Sequence, residues 1–264
     1  MPVASVESEG ARIGARAARH LDIAFRQIMT GPRTVRNAAW LRLVTGEAHP
    51  LGNVAIVSEP GNLAATLDAT APLLDCGAPA AAIFPGGVCD EVAAALKARG
   101  FGIEAPMPAM AVDIGQVLAT ALPPRYGWVR IGGGAEGRAW VDALAIGYEI
   151  PRGLAEIFGP EALGADMADD AQMQFFAVVR DGRQVATSML YLADGLAGIY
   201  CVSTRPEERN KGLGAHATAE PLRAASRLGY RVGVLQSSAA GHAVYLRLGF
   251  GDYARVPMLI RMPA

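Results

Sequence analysis

The run Ile199–Ala215, I-Y-C-V-S-T-R-P-E-E-R-N-K-G-L-G-A, constrains this chain more than any other segment. β-Branched and aromatic residues at its start favour a strand. Pro206 ends that pattern, and Arg209-Asn210-Lys211-Gly212-Leu213-Gly214 opens a stretch, Gly212–Leu228, with helical spacing. Glycines let a ligand approach the backbone and let successive N–H groups point one way. The start of a helix adds the positive end of its dipole, and Arg209 and Lys211 add full charges. Together these features make a diphosphate cradle. A turn needing two glycines before a helix is the plain alternative. The segment is neither a P-loop, since Lys211 precedes its glycine and no Ser or Thr follows, nor a dinucleotide fingerprint, since a third glycine is missing.

A second element stands about thirty residues downstream: Ser237-Ser238-Ala239-Ala240-Gly241-His242-Ala243-Val244-Tyr245-Leu246-Arg247-Leu248-Gly249-Phe250. It reads as a small-residue loop after a strand, then a short helix that carries Tyr245 and ends at Gly-Phe. With both elements in this order, the chain resembles the GNAT superfamily of acyl-CoA-dependent N-acyltransferases. That superfamily has an R/Q-x-x-G-x-G/A phosphate motif after a strand and a later Tyr four residues before Gly-Phe. The element order of residues 125–264 resembles the same fold.

The resemblance implies a role for each matching residue. Val202 and Thr204, on the fourth strand, would offer backbone groups to the pantetheine arm of acetyl-CoA. The N–H groups of Asn210, Lys211, Gly212, Leu213, Gly214 and Ala215 would bind the pyrophosphate, and Arg209 would shape the loop. Tyr245 would protonate the leaving thiolate; its alternative is an aromatic packed on the sheet. A phenol has a pKa near 10 and a thiol near 8.5, so this transfer can proceed only as charge develops on sulfur. Acetyl transfer to a primary amine would then proceed by direct attack in a ternary complex, without a metal.

The base is not evident. Ile199–Thr204 contains no carboxylate, and Asp194, Glu149 and Glu156 are the nearby acids, each read by default as a surface charge. Cys201 reads as a structural cysteine rather than a nucleophile. His216 and His242 lack metal-ligand spacing and read as capping or surface groups. Asp166, Asp169 and Asp170 read as a solvated loop. A second function therefore stands beside the enzyme: a non-catalytic acyl-CoA-binding or sensor module.

The rest of the chain reads as mixed α/β. Residues 1–11 look like a loose tail, and helical spacing predicts an amphipathic helix over Arg12–Met29. Strands are expected at Trp40–Val44, Val54–Val57, Ala80–Phe84 and Met110–Ile114, with helices at Leu63–Leu74 and Asp90–Ala98. Pro123-Pro124 marks a linker, dividing residues 1–122 from a catalytic domain at 123–264. In that second part a strand is expected at Gly127–Ile131 and a helix at Arg138–Tyr148. A further helix from Gly153 is divided at Pro160, and Gln174–Arg180 and Gln184–Leu192 form a hairpin about Asp181-Gly182-Arg183. The strands Arg231–Gln236 and Met258–Arg261 flank the helix Gly241–Leu248. Leu96-Lys97-Ala98-Arg99-Gly100-Phe101-Gly102 echoes Tyr245–Gly251, with Leu96 in place of Tyr245 and Gly61-Asn62 in place of Arg209–Gly214. Residues 35–120 thus resemble a degenerate GNAT half, as in tandem GNAT proteins, and would serve as a scaffold.

Composition narrows the partners. The 264 residues carry a formal charge of -1, which argues against nucleic acid and favours a small amine over a basic protein tail as acceptor. Ala105–Leu122 is too short and too broken by prolines to span a bilayer. The three cysteines form no disulfide framework, which together with the polar start of the chain points to the cytoplasm. A homodimer is allowed.

Overall fold

The computed structural model describes residues 9–59 and 61–263. Residues 1–8 of the expected tail lie outside the described residues, whereas residues 9–11 already belong to the first helix. In chain order the first part contains α1 (Glu9–Ile28), β1 (Thr34–Arg36), β2 (Trp40–Val44), β3 (Asn53–Val57), α2 (Leu63–Leu74), β4 (Ala80–Ile83), α3 (Asp90–Lys97), β5 (Ile103–Glu104) and β6 (Met107–Asp113). After an irregular stretch over 117–125 come β7 (Tyr126–Ile131), α4 (Gly134–Tyr148), α5 (Arg152–Ile157), α6 (Pro160–Leu163), β8 (Met173–Arg180), β9 (Arg183–Ala193), β10 (Leu196–Thr204), α7 (Leu213–Arg227), β11 (Val232–Gln236), α8 (His242–Leu248), β12 (Gly251–Val256) and β13 (Met258–Arg261).

The strands form two mixed sheets, in the orders β1-β2-β3-β4-β13-β5 and β12-β6-β11-β10-β9-β8-β7. Each sheet takes one strand from the other part of the chain. β6 precedes the irregular stretch yet lies between β12 and β11, antiparallel to both. β13 closes the chain yet lies antiparallel between β4 and β5. Burial explains why β6 suits a central position. Ala109 and Ala111 face one core and Met110 and Val112 another, so the strand is apolar on both faces.

α1 shares the inner core with both sheets. Its Ala17, Leu21 and Ala24 pack with Leu41, Leu43, Val54 and Ile56 of the first sheet and with Ala109, Met189 and Tyr191 of the second. α4 covers β9 and β10 on the same face, held by Trp140, whose Nε1 donates to the Phe176 carbonyl at 2.9 Å. α7 and α8 cover the opposite face of the second sheet through Leu222, Ala225, Tyr245 and Leu248. The outer face of the first sheet packs on Leu73, Val92 and Leu96 of α2 and α3. α1 lies close against β12: a Cβ on Gly14 would come within 2.5 Å of the Tyr253 carbonyl oxygen.

Candidate active site

The candidate site begins where β10 leaves its neighbours. β10 pairs in parallel with β11 only at Ala197↔Gly233 and Gly198↔Val234, although it continues to Thr204. Beyond Gly198 a cleft therefore opens between the two strands. On the other side the antiparallel ladder with β9 is interrupted between Tyr200 and Ser203. Cys201 sits in this bulge with φ 51°, a left-handed conformation unusual for a non-glycine residue. The disturbed backbone is satisfied locally: the Thr187 hydroxyl donates to the Cys201 carbonyl at 2.8 Å and lies 2.7 Å from the Ser203 hydroxyl. α4 closes on this point, because a Cβ on Gly147 would come within 2.7 Å of Ser203.

Val202 lies in the bulge, outside the β9 ladder and beyond the last pair with β11. Thr204 is back in register with Ala186, and its carbonyl accepts from Arg209 Nε at 3.3 Å. The following loop is fastened by Glu208, which is 7% exposed. Its carboxylate accepts from Tyr126 Oη at 2.6 Å, Lys211 Nζ at 2.7 Å and Arg180 Nη1 at 3.0 Å. These donors, Lys211 first, hold the Glu208 carboxyl down at about 2. Arg209 Nη2 donates to the Gly147 carbonyl at 2.9 Å and to Glu149 Oε1 at 3.0 Å, tying the loop to the end of α4. Both loop cations are thus already paired, and the backbone N–H groups remain the loop's chief attraction for an anion.

Those N–H groups are arranged by two left-handed residues, Asn210 (φ 65°) and Gly212 (φ 77°), immediately before α7. The first intrahelical bond runs from the His216 N–H to the Gly212 carbonyl at 3.1 Å. Helix geometry leaves Leu213, Gly214 and Ala215 N–H groups without intrahelical acceptors. A Cβ on Gly214 would meet only the Thr204 Oγ1, at 3.7 Å.

Tyr245 lies on α8, 9% exposed, with its ring edge-on to Phe250 at 6.0 Å. Gly241 makes room for that ring, since a Cβ there would lie 2.9 Å from Tyr245 Cε2. Burial pushes the Tyr245 phenol up to about 12 and the Cys201 thiol to about 12, so Cys201 remains a neutral thiol. Tyr148, at the end of α4, lies within electrostatic reach of both Cys201 and Tyr245. Desolvation, with those neighbours, raises its phenol well above the ordinary value, although one side of the residue stays open to solvent.

Of the three carboxylates considered as bases, two are held in ion pairs and the third is exposed in a turn. Glu149 pairs with Arg209, and Glu156 pairs with Arg152. Asp194 is exposed in the β9–β10 turn, where its carbonyl accepts from Arg16 Nη2 at 2.8 Å. His216 Nδ1 lies 3.1 Å from the Thr120 hydroxyl and edge-on to Trp128; His242 pairs with Asp252 at 2.9 Å. Asp169 pairs with Arg130 in an exposed loop. Among the described residues there is no group of three acidic, histidine or cysteine side chains placed to hold a metal, and no helix long and apolar enough to cross a membrane.

The first sheet repeats the parallel pair without the cleft. β3 and β4 pair at Val54↔Ala81, Ala55↔Ala82 and Ile56↔Ile83, up to the end of β4. The start of α2 is capped from within, because Asn62 Oδ1 accepts from the Ala65 N–H at 3.0 Å. Leu96 is buried in the outer core.

Sequence reasoning missed four residues around the cleft: His20, Tyr148, Tyr200 and Glu208. His20 lies on the apolar stripe of α1 between Ala17 and Leu21, so its burial was readable from spacing; its partner was not. Glu208 resembles any exposed acid until the loop folds over it.

Comparisons with known proteins bear on this geometry. Residues 138–250 match the model of the acetyltransferase (GNAT) family. No curated protein matches the chain. Among solved structures, a GCN5-related N-acetyltransferase from Kribbella flavida is similar at 22% identity and TM-score 0.63, over 94% of this chain and 96% of that one. One from Sphaerobacter thermophilus is similar at 16% identity and TM-score 0.60, over 96% and 91%. A tandem GNAT protein from the clavulanic acid biosynthesis pathway is similar at 16% identity and TM-score 0.53, over 100% and 98%. At these identities the likeness concerns the fold. It extends over nearly the whole chain, in keeping with two GNAT-like halves.

Proposed function

We propose that this chain is an N-acetyltransferase that moves an acetyl group from acetyl-CoA to the primary amine of a small molecule, a reading supported by the match of residues 138–250 to the acetyltransferase (GNAT) family model. The observation that carries the reading is the cleft beyond Gly198, where β10 parts from β11; β10 leads into the start of α7, and β11 leads into α8, which carries Tyr245. Acetyl-CoA supplies a thioester whose acetyl carbon is open to attack by a neutral amine.

The chain's own groups would act as follows. The N–H groups from Asn210 to Ala215 hold the pyrophosphate, as helix N-termini hold anions. Arg209 and Glu208 keep that loop in shape instead of contacting the ligand. The backbone of Val202, freed by the bulge, is available to the pantetheine arm or the thioester, and Thr204 flanks it. Tyr245 stays protonated at neutral pH and donates to the departing sulfur. Burial sets a condition on that step. A phenol near 12 is a weaker acid than an ordinary thiol near 8.5, so the transfer requires the sulfur to be desolvated alongside it. Positioning and N–H polarisation would supply most of the acceleration.

A non-catalytic acyl-CoA-binding role is favoured by one observation: of the three candidate bases, Glu149 and Glu156 are held in ion pairs with Arg209 and Arg152. Thiol release from acetyl-CoA across a panel of amines separates the two readings. Turnover with any amine supports the enzyme; tight CoA binding with no release from any amine supports the binding module.

A further inference from the structure

Tyr200 and His20 form a buried pair that the reading above leaves unused. His20 comes from α1, in the first part of the chain, and is 0% exposed. Its Nδ1 lies 2.8 Å from Tyr200 Oη, and the two rings stack at 5.9 Å with 10° between their planes. Tyr191 meets the same imidazole edge-on at 5.6 Å. The sequence makes room for the pair with a glycine: a Cβ on Gly198 would lie 2.3 Å from His20 Cε1 and 2.7 Å from Tyr200 Cε2. Gly198 is also the last residue of β10 paired with β11, so Tyr200 stands two positions into the cleft, next to the bulge. It keeps a solvent-accessible part, whereas His20 and Tyr191 are buried.

We propose that Tyr200 receives the amine acceptor, with His20 turning the phenol so that its oxygen lone pairs face the cleft. The inference rests on the acetyltransferase reading and deepens it.

The polarity follows from proton accounting. Burial lowers the His20 pKa to about 4, so the ring is neutral and one nitrogen carries a hydrogen. The Leu196 backbone and Asp194 oppose the shift, while Arg16 adds to it. Nε2 is buried without a hydrogen-bond partner, so the contact that orders the ring is Nδ1 with the Tyr200 hydroxyl; between a phenol and a neutral imidazole the phenol O–H is the better donor and the ring nitrogen the better acceptor. The hydrogen therefore belongs on Nε2, and Nδ1 accepts from the Tyr200 hydroxyl. Desolvation, with Tyr191 and Cys201 nearby, raises the Tyr200 phenol, which keeps that hydrogen in place. Its proton committed to His20, the oxygen can only accept, and an amine N–H is the partner that fits. Tyr200 would touch substrate, and His20 is a positioning residue acting through it. The first part of the chain thereby completes the site of the second.

Three measurements test this. In the free protein, nitrogen-15 NMR of His20 should show an unprotonated Nδ1 and a protonated Nε2; the opposite tautomer overturns the proposal. With a panel comprising a polyamine, an amino sugar, an aminoglycoside and free lysine, Tyr200→Phe should lower kcat/KM for the best amine about tenfold, the scale of one lost hydrogen bond. The loss should appear mainly in the amine KM, with acetyl-CoA affinity by calorimetry unchanged. His20→Phe should reproduce it, His20→Asn should restore part of it through its amide oxygen, and the Tyr200→Phe, His20→Phe double variant should add nothing. An active wild type with unchanged Tyr200→Phe kinetics overturns the role of Tyr200 alone. A wild type that binds acetyl-CoA but acetylates none of the panel fails the acetyltransferase reading and takes this proposal with it.

Discussion

Gly214→Glu should move stability and CoA binding in opposite directions. Gly214 lies in the first turn of α7 without a positive φ, and an added Cβ meets only Thr204 Oγ1 at 3.7 Å, an ordinary contact. Replacing glycine in a helix gains up to about 1 kcal/mol of propensity. A carboxylate in the first turn gains roughly 0.3–1 kcal/mol from the dipole. The free protein should be as stable as wild type or more stable by about 1 kcal/mol. Binding should suffer, because the new charge stands where the diphosphate is proposed to lie. At roughly 5 Å, each like-charge pair costs about 1 kcal/mol at the permittivity of water and about 3 kcal/mol at an effective value near 20. The Kd for CoA should rise at least about tenfold, and less at high salt, where screening is stronger. Calorimetric titration with CoA at two salt concentrations, beside thermal unfolding, checks both halves. Unchanged affinity in a folded variant would refute the assignment of the phosphate site, and a large fall in Tm would refute the packing argument.

Tyr245→Phe keeps the ring on Gly241 and Phe250, so it should fold normally and lose roughly 10²–10⁴-fold in kcat with little change in the KM for acetyl-CoA; full kcat would make Tyr245 a packing residue. Glu208→Gln should loosen the phosphate loop. The fall of that carboxyl from 4.5 to about 2 caps its contribution near 3 kcal/mol at 1.36 kcal/mol per unit. Screening of partly exposed Lys211 and Arg180 reduces this to about 1–2 kcal/mol. Because the folded pKa is depressed, the contribution is whole above about pH 5 and fades as pH falls towards 2; equal destabilisation by Glu208→Gln at pH 7 and pH 2.5 in urea unfolding would contradict it. Gly198→Ala should force the His20–Tyr200 pair apart and cost about 1–3 kcal/mol, the usual penalty of overpacking, read as a lower Tm; a neutral effect would mean the slot is less tight than its 2.3 Å approach implies.

Periodicity, glycines and prolines are local signals, and they carried much of the secondary structure. Helical spacing placed α1 within a few residues, and Asp181-Gly182, with φ 49° and 79°, makes the β8–β9 turn that the dipeptide predicted. Pro160 does divide the helix after Gly153, as the start of α6. β12 was missed, because its burial alternates only weakly and its partner, β6, lies more than a hundred residues earlier. β5, of two residues, is too short to leave a pattern.

The phosphate-loop sequence and the Tyr245 helix determined the GNAT likeness by themselves, because each depends on a glycine for a local reason: Gly212 for its φ of 77° before α7, and Gly241 for the space taken by the Tyr245 ring. Only the tertiary structure decided what surrounds them. Which strand lies beside β11, where β10 parts from it, which donors gather on Glu208 and which imidazole meets Tyr200 all depend on chain segments brought together from far apart. His20 and Tyr200 are 180 positions apart, and no local pattern in either segment encodes the other. The physical reason is that a strand's alternation fixes which faces are apolar but leaves its neighbours open. Packing of α1 between the two sheets, with β6 and β13 crossing over, settles that choice.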